Sequence, residues 1–266
     1  MHDMHVHTHY SKDSKEKIAA HIDRAWTIGV KTICFTEHVD NNSNGNSRGY
    51  YNSVAFFEDF NNAKAAIFDV DLLAGVEFDC PHRYRRELSE ISSLPYDCII
   101  GSVHHCDLSP DVFFSELIKR GVPAKECFPA YWNEVLKCVK AGGFDVLGHI
   151  DVPKRYYKVL LYNETLLREI FRVMLSNGII LEINTSSLRN GLEDTMPGPA
   201  ILELYCAQGG KFVTIGSDAH SAKSLAADNA VARGLAKRMG LREVIFSQRK
   251  MIDVDVTDQE VAINTI

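Results

Sequence analysis

Phe212-Val213-Thr214-Ile215-Gly216 runs directly into Ser217-Asp218-Ala219-His220, a short apolar stretch that ends in residues able to bind a metal. The arrangement recurs along the chain. Thr32-Ile33-Cys34-Phe35 ends at Thr36-Glu37-His38, and Val70-Asp71-Leu72-Leu73-Ala74-Gly75-Val76 ends at Glu77. Cys98-Ile99-Ile100-Gly101-Ser102-Val103 ends at His104-His105, Phe144-Asp145-Val146-Leu147-Gly148 ends at His149, and Ile179-Ile180-Leu181 leads into Glu182-Ile183-Asn184. Runs of this length and composition are expected of buried strands. With the short segment Met4-His5-Val6 near the start, they make about seven strands.

Helical patterns lie between them. Ile18, Ile22, Ala25 and Trp26 form one apolar face that Gly29 would stop. Leu166, Leu167, Ile170, Phe171 and Met174 form another, between a possible cap at Asn163 and Gly178. Stretches 198–208 and 228–239 read as later helices. Alternating strands and helices imply a parallel sheet. Because the polar residues fall at the carboxyl end of each run, and parallel β/α barrels build their sites on that rim, the expected fold is an irregular seven-stranded β/α barrel forming a single domain over residues 1–266. Two insertions break the rhythm. Residues 40–53, polar and following a strand end, should sit over the site, with plain surface elaboration as the alternative. Residues 107–130, with Phe113, Phe114, Leu117 and Phe128, read either as a partial lid or as surface elaboration.

The chain of 266 residues is long enough for one sizeable core, and its formal charge of −6 gives no broad basic field for nucleic acid or an anionic membrane. The seven cysteines form no C-x-x-C pair and several sit in apolar runs, which fits free thiols in a reducing cytoplasm. No apolar run reaches the ~18 residues of a membrane span.

The candidate ligands are His5, His7, His38, His104, His149 and His220, with Glu77, Asp218 and Asp13 as carboxylate companions. Imidazole and carboxylate together suit zinc, iron or manganese. On an extended strand His5 and His7 point to one side, so one metal can take both, and Asp218 and His220 repeat the spacing. An isolated His-x-His is weak evidence. The joint pattern is stronger, because one site needs about four ligands and this set suggests two or three metals. His2, His9, His21 and His82 have no matching position. His21 is expected to be exposed on its helix, His105 to point away from the metals, and Lys154 to be solvated.

Asp3-Met4-His5-Val6-His7-Thr8 with Ser11 resembles the first motif of the polymerase and histidinol phosphatase (PHP) superfamily. Thr36-Glu37-His38, Gly75-Val76-Glu77, Gly101-Ser102-Val103-His104, Gly148-His149 and Gly216-Ser217-Asp218-Ala219-His220 resemble the later motifs in order. The resemblance implies a distorted TIM-like (β/α)7 barrel with a trinuclear centre. It implies that His5, His7, Glu77 and Asp218 hold one metal, that Glu77, His104 and His149 hold a second with Glu77 bridging, and that Asp13, His38 and His220 hold the third. Asp13 has an alternative reading, a helix cap before Lys15-Glu16-Lys17.

Three further segments resemble the monofunctional histidinol-phosphate phosphatase branch: His149-Ile150-Asp151 with Arg155, the stretch from Glu182 to Arg189, and Val244 to Lys250. Arg155 and Arg189 could each fork onto phosphate oxygens, or form surface ion pairs; with the motifs around them, phosphate binding is expected. Tyr156 and, more weakly, Asp79 are further candidates for substrate contact. The implied activity is metal-dependent hydrolysis of a small phosphomonoester, L-histidinol phosphate, with Glu77, Asp218, Arg155 and Arg189 carrying the chemistry. Another phosphoesterase of the superfamily, acting on nucleotides or oligonucleotide ends, and a degenerate non-enzymatic barrel are the competing readings.

Overall fold

A computed structural model describes residues 1–42, 47–106, 108 and 114–254. The strands are β1 (His2–Val6), β2 (Thr32–Val39), β3 (Asp71–Asp79), β4 (Cys98–Ser102), β5 (Val146–Leu147), β6 (Ile180–Asn184), β7 (Phe212–Gly216), β8 (Arg242–Ser247) and β9 (Lys250–Asp253). They form one nine-stranded sheet in chain order. Every neighbouring pair through β7 and β8 is parallel, and only β8 and β9 are antiparallel. β7 is shared: its first residues, Phe212 and Val213, pair with Arg242 and Glu243 of β8. Just past its end, Ala219 bridges in parallel to Val6 of β1. There His7 N donates to Ala219 O and Asp218 N donates to His5 O, both at 2.8 Å. The first strand and the end of the seventh are thereby brought together.

Alternation along the strands sorts two apolar clusters. On β3, Leu72, Ala74, Val76 and Phe78 join the large cluster under the helices. Leu73 faces the other way, into a small cluster with Met4, Cys34, Cys98, Ile100, Val146 and Ile180. Gly75, Glu77 and Asp79 share the parity of Leu73, so the same face turns from apolar to charged towards the carboxyl end. Gly75 has no room for a side chain: a Cβ there would lie 2.9 Å from Cys34 Sγ and from Cys98 O. β8 and β9 exceed the expected strand number. Val244 and Phe246 of β8 enter the small cluster, so the hairpin covers its amino end. Arg249, in the turn, pairs with Asp145 before β5, and its N donates to Asp97 O before β4 at 2.9 Å.

The expected helices are present, with corrections. Helix Ile18–Ile28 ends at Gly29, whose φ of 72° is the left-handed conformation glycine adopts without strain. It buries Ile18, His21, Ile22 and Ala25, whereas Trp26 is 52% exposed. His21, expected outside, faces the sheet because its Nε2 reaches His7 O at 3.2 Å. Helix Glu164–Ser176 is capped by Asn163, whose side chain accepts from Leu166 N. Stretches 198–208 and 228–239 contain helices Pro199–Ala207 and Asn229–Arg238. Over its described part the second insertion contributes side chains to the main core. Phe114 and Leu117 of helix Phe114–Lys119, and Phe128 of the long helix Ala124–Ala141, are buried in the main core. Phe113 lies outside the described residues. No helix among the described residues is long and apolar enough to cross a membrane.

Candidate metal centre

β1 delivers His5 and His7 to the carboxyl end of the sheet, both fully buried. A register shift sets the three-residue step Asp3 to Val6 against the two-residue step Ile33 to Phe35, after which Val6 packs under the helices. His5 and His7, on either side of Val6, then share the opposite face. β2 supplies His38 and β3 supplies Glu77, while His104, His149 and Asp218 each lie two residues beyond their strands.

Glu77 divides its two oxygens among five imidazoles. Oε1 lies 2.7 Å from His149 Nε2 and 3.5 Å from His104 Nε2. Oε2 lies 2.9 Å from His38 Nδ1, 3.4 Å from His5 Nε2 and 3.6 Å from His7 Nε2. Asp218 Oδ1 is 3.4 Å from His7 Nε2 and 3.9 Å from His5 Nε2. Asp13 Oδ2 is 3.2 Å from His220 Nε2 and 3.5 Å from His38 Nε2. Ligands about 2.1 Å from a tetrahedral zinc ion stand about 3.4 Å apart, so most of these spacings are those of donor atoms around an ion. His5, His7 and Glu77 form one group able to hold a metal; Glu77, His104 and His149 form another; His7, His38 and His220 form a third.

The donor chemistry fits divalent metal. His5 Nε2, His7 Nε2 and Glu77 Oε2 are buried without a hydrogen bond. Leaving such a group unmatched costs about 1–3 kcal/mol, and a cation between them removes that cost. Burial opposes ionisation of Glu77 and Asp218, but the imidazoles outweigh it. His5, His38 and His149 around Glu77, and His7, His5 and His220 around Asp218, hold both carboxyls well below the usual range. Carboxylates in that state are ready ligands. Asp13 is not a cap of helix Ile18–Ile28, whose N-cap is Lys17.

A second layer of buried groups aims the imidazoles. His5 Nδ1 meets Glu182 Oε1 at 2.6 Å, and Glu182 Oε2 accepts from His149 N at 2.7 Å. His7 Nδ1 contacts Ser11 Oγ at 3.1 Å, and that hydroxyl donates to Glu37 Oε2 at 2.6 Å. His104 Nδ1 faces Asp79 Oδ1 at 3.1 Å. These contacts leave the three Nε2 atoms for a metal. Asp79 therefore orients His104, and its other oxygen lies 3.0 Å from His105 Nδ1, which turns His105 away from the centre. Sequence reasoning did not assign Glu182 or Glu37 this work. The available signal was their place: a charged residue inside a buried run, as in Ile180-Leu181-Glu182-Ile183, needs a partner. Gly216 belongs to the same layer, since a Cβ there would overlap Glu182 Oε1 and His5 Cβ.

A cavity of about 390 Å³ opens over the cluster, lined by Lys12, Asp13, His38, Asp40, Ser47, Glu77, His104, His149, Val152, Arg155, Tyr156, Asp218 and His220. Asp40 and Ser47 place the described part of the first insertion at the site, as expected; residues 43–46 lie outside the described set. Arg155 Nη2 lies 3.2 Å from Asp218 Oδ2 and bonds Ser186 Oγ, which puts its guanidinium beside the metal ligands. Tyr156 also lines the cavity. Arg189 does not; its guanidinium is held by the carbonyls of Ser217 and Ala227. Lys154, expected in solvent, is buried because Asp151 Oδ2 and Thr195 O take its ammonium at 2.7 and 2.6 Å. His82 is tied to Glu134 at 2.8 Å, His2 to Thr32 at 2.9 Å, and His9 lies 4.0 Å from Asp59, so none of them lines the cavity.

Residues 3–186 match the family model of the PHP domain. A protein of Clostridium acetobutylicum described as a probable histidinol-phosphatase is 30% identical over 259 residues, covering 94% of this chain and 98% of that one. The histidinol-phosphatase of Lactococcus lactis is 30% identical over 264 residues, covering 94% and 96%. A crystal structure of histidinol phosphate phosphatase from L. lactis, complexed with zinc, L-histidinol and phosphate, superposes with a TM-score of 0.81 at 28% identity, covering 94% of this chain and 98% of that one.

Proposed function

Because the chain belongs to the PHP domain family, we propose that it is a metal-dependent phosphomonoesterase that hydrolyses L-histidinol phosphate to L-histidinol and phosphate, a step of histidine biosynthesis. The observation that carries the phosphatase reading is the split of Glu77, one oxygen towards His104 and His149, the other towards His5, His7 and His38. A carboxylate so placed would serve two metal groups at once, with Asp218 available to complete the first and Asp13, His38 and His220 available for a third. The substrate follows the relatives, including the one complexed with histidinol and phosphate.

Metal ions held there lower the pKa of water towards neutrality and draw electron density from phosphoryl oxygens. The chain's own residues do the rest. Arg155, fixed by Asp218 and Ser186, presents a planar cation to the phosphoryl group, where charge grows as the ester bond breaks. Arg189 can add a second fork only if it leaves the carbonyls of Ser217 and Ala227. Tyr156 and Val152 form the less polar part of the wall against which the alcohol moiety lies. The site needs no Ser or Cys nucleophile. We further propose that β1 to β7 close as a distorted (β/α)7 barrel, supported by the Val6–Ala219 bridge, with the β8–β9 hairpin plugging its amino end. The unpaired state of all seven cysteines supports a cytoplasmic setting.

The test is turnover by purified protein, stripped of metal and reloaded with zinc, manganese or iron, against a panel of phosphomonoesters. The proposal predicts the highest kcat/KM for L-histidinol phosphate. Equal or faster hydrolysis of nucleotides or oligonucleotide ends would overturn the substrate assignment.

A further inference from the structure

Asp40 stands apart from the other carboxylates around the cavity. Asp13, Glu77 and Asp218 each face imidazoles within 3.6 Å. Asp40, half-buried just past β2, has no hydrogen bond or ion pair with any described residue. Its nearest charged company includes another acid: Asp40, Asp79 and His104 each place a ligand atom within 4.8 Å of the others. Asp79 is already occupied by His104 and His105. Two carboxylates at that separation, partly withdrawn from water, repel one another and favour a cation beside Asp40.

Asp40 is also at a junction. With Ser47 it lines both the main cavity and an adjoining one of about 400 Å³, whose walls include Tyr51, Glu87, Ile91 and Leu94. A side chamber with three acids in its walls, Asp40, Glu87 and Glu90, beside the apolar Val39, Ile91 and Leu94, suits an organic cation that carries some apolar surface. It disfavours an anionic alcohol.

Resting on the phosphomonoesterase reading, we propose that this enzyme recognises its leaving alcohol as a cation, with Asp40 accepting the ammonium of a phosphorylated amino alcohol at the mouth of the side chamber. In L-histidinol phosphate the amine sits on the carbon next to the one bearing the ester oxygen. It must therefore lie beside the leaving group, close to where Asp40 flanks His104. The Asp40 carboxylate also works by exclusion: a phosphate ester that brings no cation leaves it unneutralised near the phosphoryl dianion.

Two measurements on the metal-loaded enzyme test this. On the native protein, kcat/KM for L-histidinol phosphate is compared with that for its N-acetyl derivative, which lacks the ammonium, and with glycerol phosphate. A charge-assisted hydrogen bond predicts a preference of about 10- to 100-fold for the amine. Asp40→Asn should shrink the preference for histidinol phosphate over glycerol phosphate at least about tenfold, carried mainly in KM, and weaken product inhibition by L-histidinol in parallel. Equal losses on both esters, no loss on either, or loss of metal along with activity would overturn the assignment, the last by making Asp40 a ligand. Failure of the functional reading looks different: the native enzyme would not hydrolyse histidinol phosphate, whatever the variant did.

Discussion

Glu182→Gln changes one oxygen to an amide nitrogen and leaves the shape of the side chain intact. In the native protein both carboxylate oxygens are acceptors: Oε1 faces His5 Nδ1 at 2.6 Å, and Oε2 takes His149 N at 2.7 Å and Asn184 Nδ2 at 3.2 Å. A glutamine can keep only one acceptor. The better-satisfied arrangement leaves the carbonyl on the two donors from His149 and Asn184, and turns the amide NH2 towards His5. His5 then has to accept at Nδ1, which moves its proton to Nε2, the atom aimed at Glu77 and at the metal position. A protonated Nε2 cannot ligate. The other orientation sets two buried N–H groups against each other, at a cost of about 1–3 kcal/mol. Loss of such an orienting carboxylate weakens metal binding by about 10- to 100-fold, or ~1.4–2.7 kcal/mol. The assay is competitive titration of zinc against a calibrated chelator, with thermal melting of the metal-free protein alongside. The expected outcome is weakened metal affinity in a protein whose metal-free melting point barely moves. Unchanged zinc affinity would refute the argument that Glu182 sets the His5 tautomer.

Gly216→Ala should be as damaging as a ligand change, because the added methyl meets Glu182 and His5, both buried; overpacking of about 1–3 kcal/mol and lowered metal content are expected, and a normal melting point with full zinc loading would contradict it. If Arg155 faces phosphate as proposed, Arg155→Met should lower kcat/KM by about 10- to 100-fold while metal analysis stays near the native value; unchanged steady-state kinetics would rule out that role. Phe246→Ala, in β8, should cost about 3–5 kcal/mol in urea unfolding, because Phe246 is only 4% exposed within the cluster that the hairpin closes. A loss under about 1 kcal/mol would mean that the hairpin is only an appendage.

What was legible in the sequence is what metal binding demands of residue type. His5, His7, His38, Glu77, His104, His149, Asp218 and His220 follow short apolar runs, and a parallel sheet carries such ends to one rim, so order along the chain became proximity in space. The orienting layer was less visible, because Glu37, Asp79 and Glu182 act through contacts between strands distant in sequence, and a carboxylate does not show which imidazole it will face. Burial of polar groups on helices is hidden for the same reason. His21 and Lys154 have ordinary surface composition, and only partners elsewhere, His7 O for one and Asp151 with Thr195 O for the other, draw them inside. Trp26 departs from expectation in the other direction: Ile18, His21, Ile22 and Ala25 already fill the buried face of its helix. The β8–β9 hairpin carries a motif yet does not read as strands from sequence, since Val244, Phe246 and their neighbours acquire meaning only beside Met4 and Ile180. Arg189 shows the limit of motif transfer, for its chemistry suits phosphate while its guanidinium is held by two main-chain carbonyls.

The proposed function rests on Glu77 being shared between metals. Diffraction from crystals grown with zinc and phosphate, recorded on both sides of the zinc absorption edge, tests it most directly. The expected result is an anomalous peak beside each Glu77 oxygen, one within bonding distance of His5, His7 and Asp218, the other of His104 and His149, with phosphate density reaching both. A single peak contacting only one oxygen, or phosphate bound away from Glu77, would contradict it.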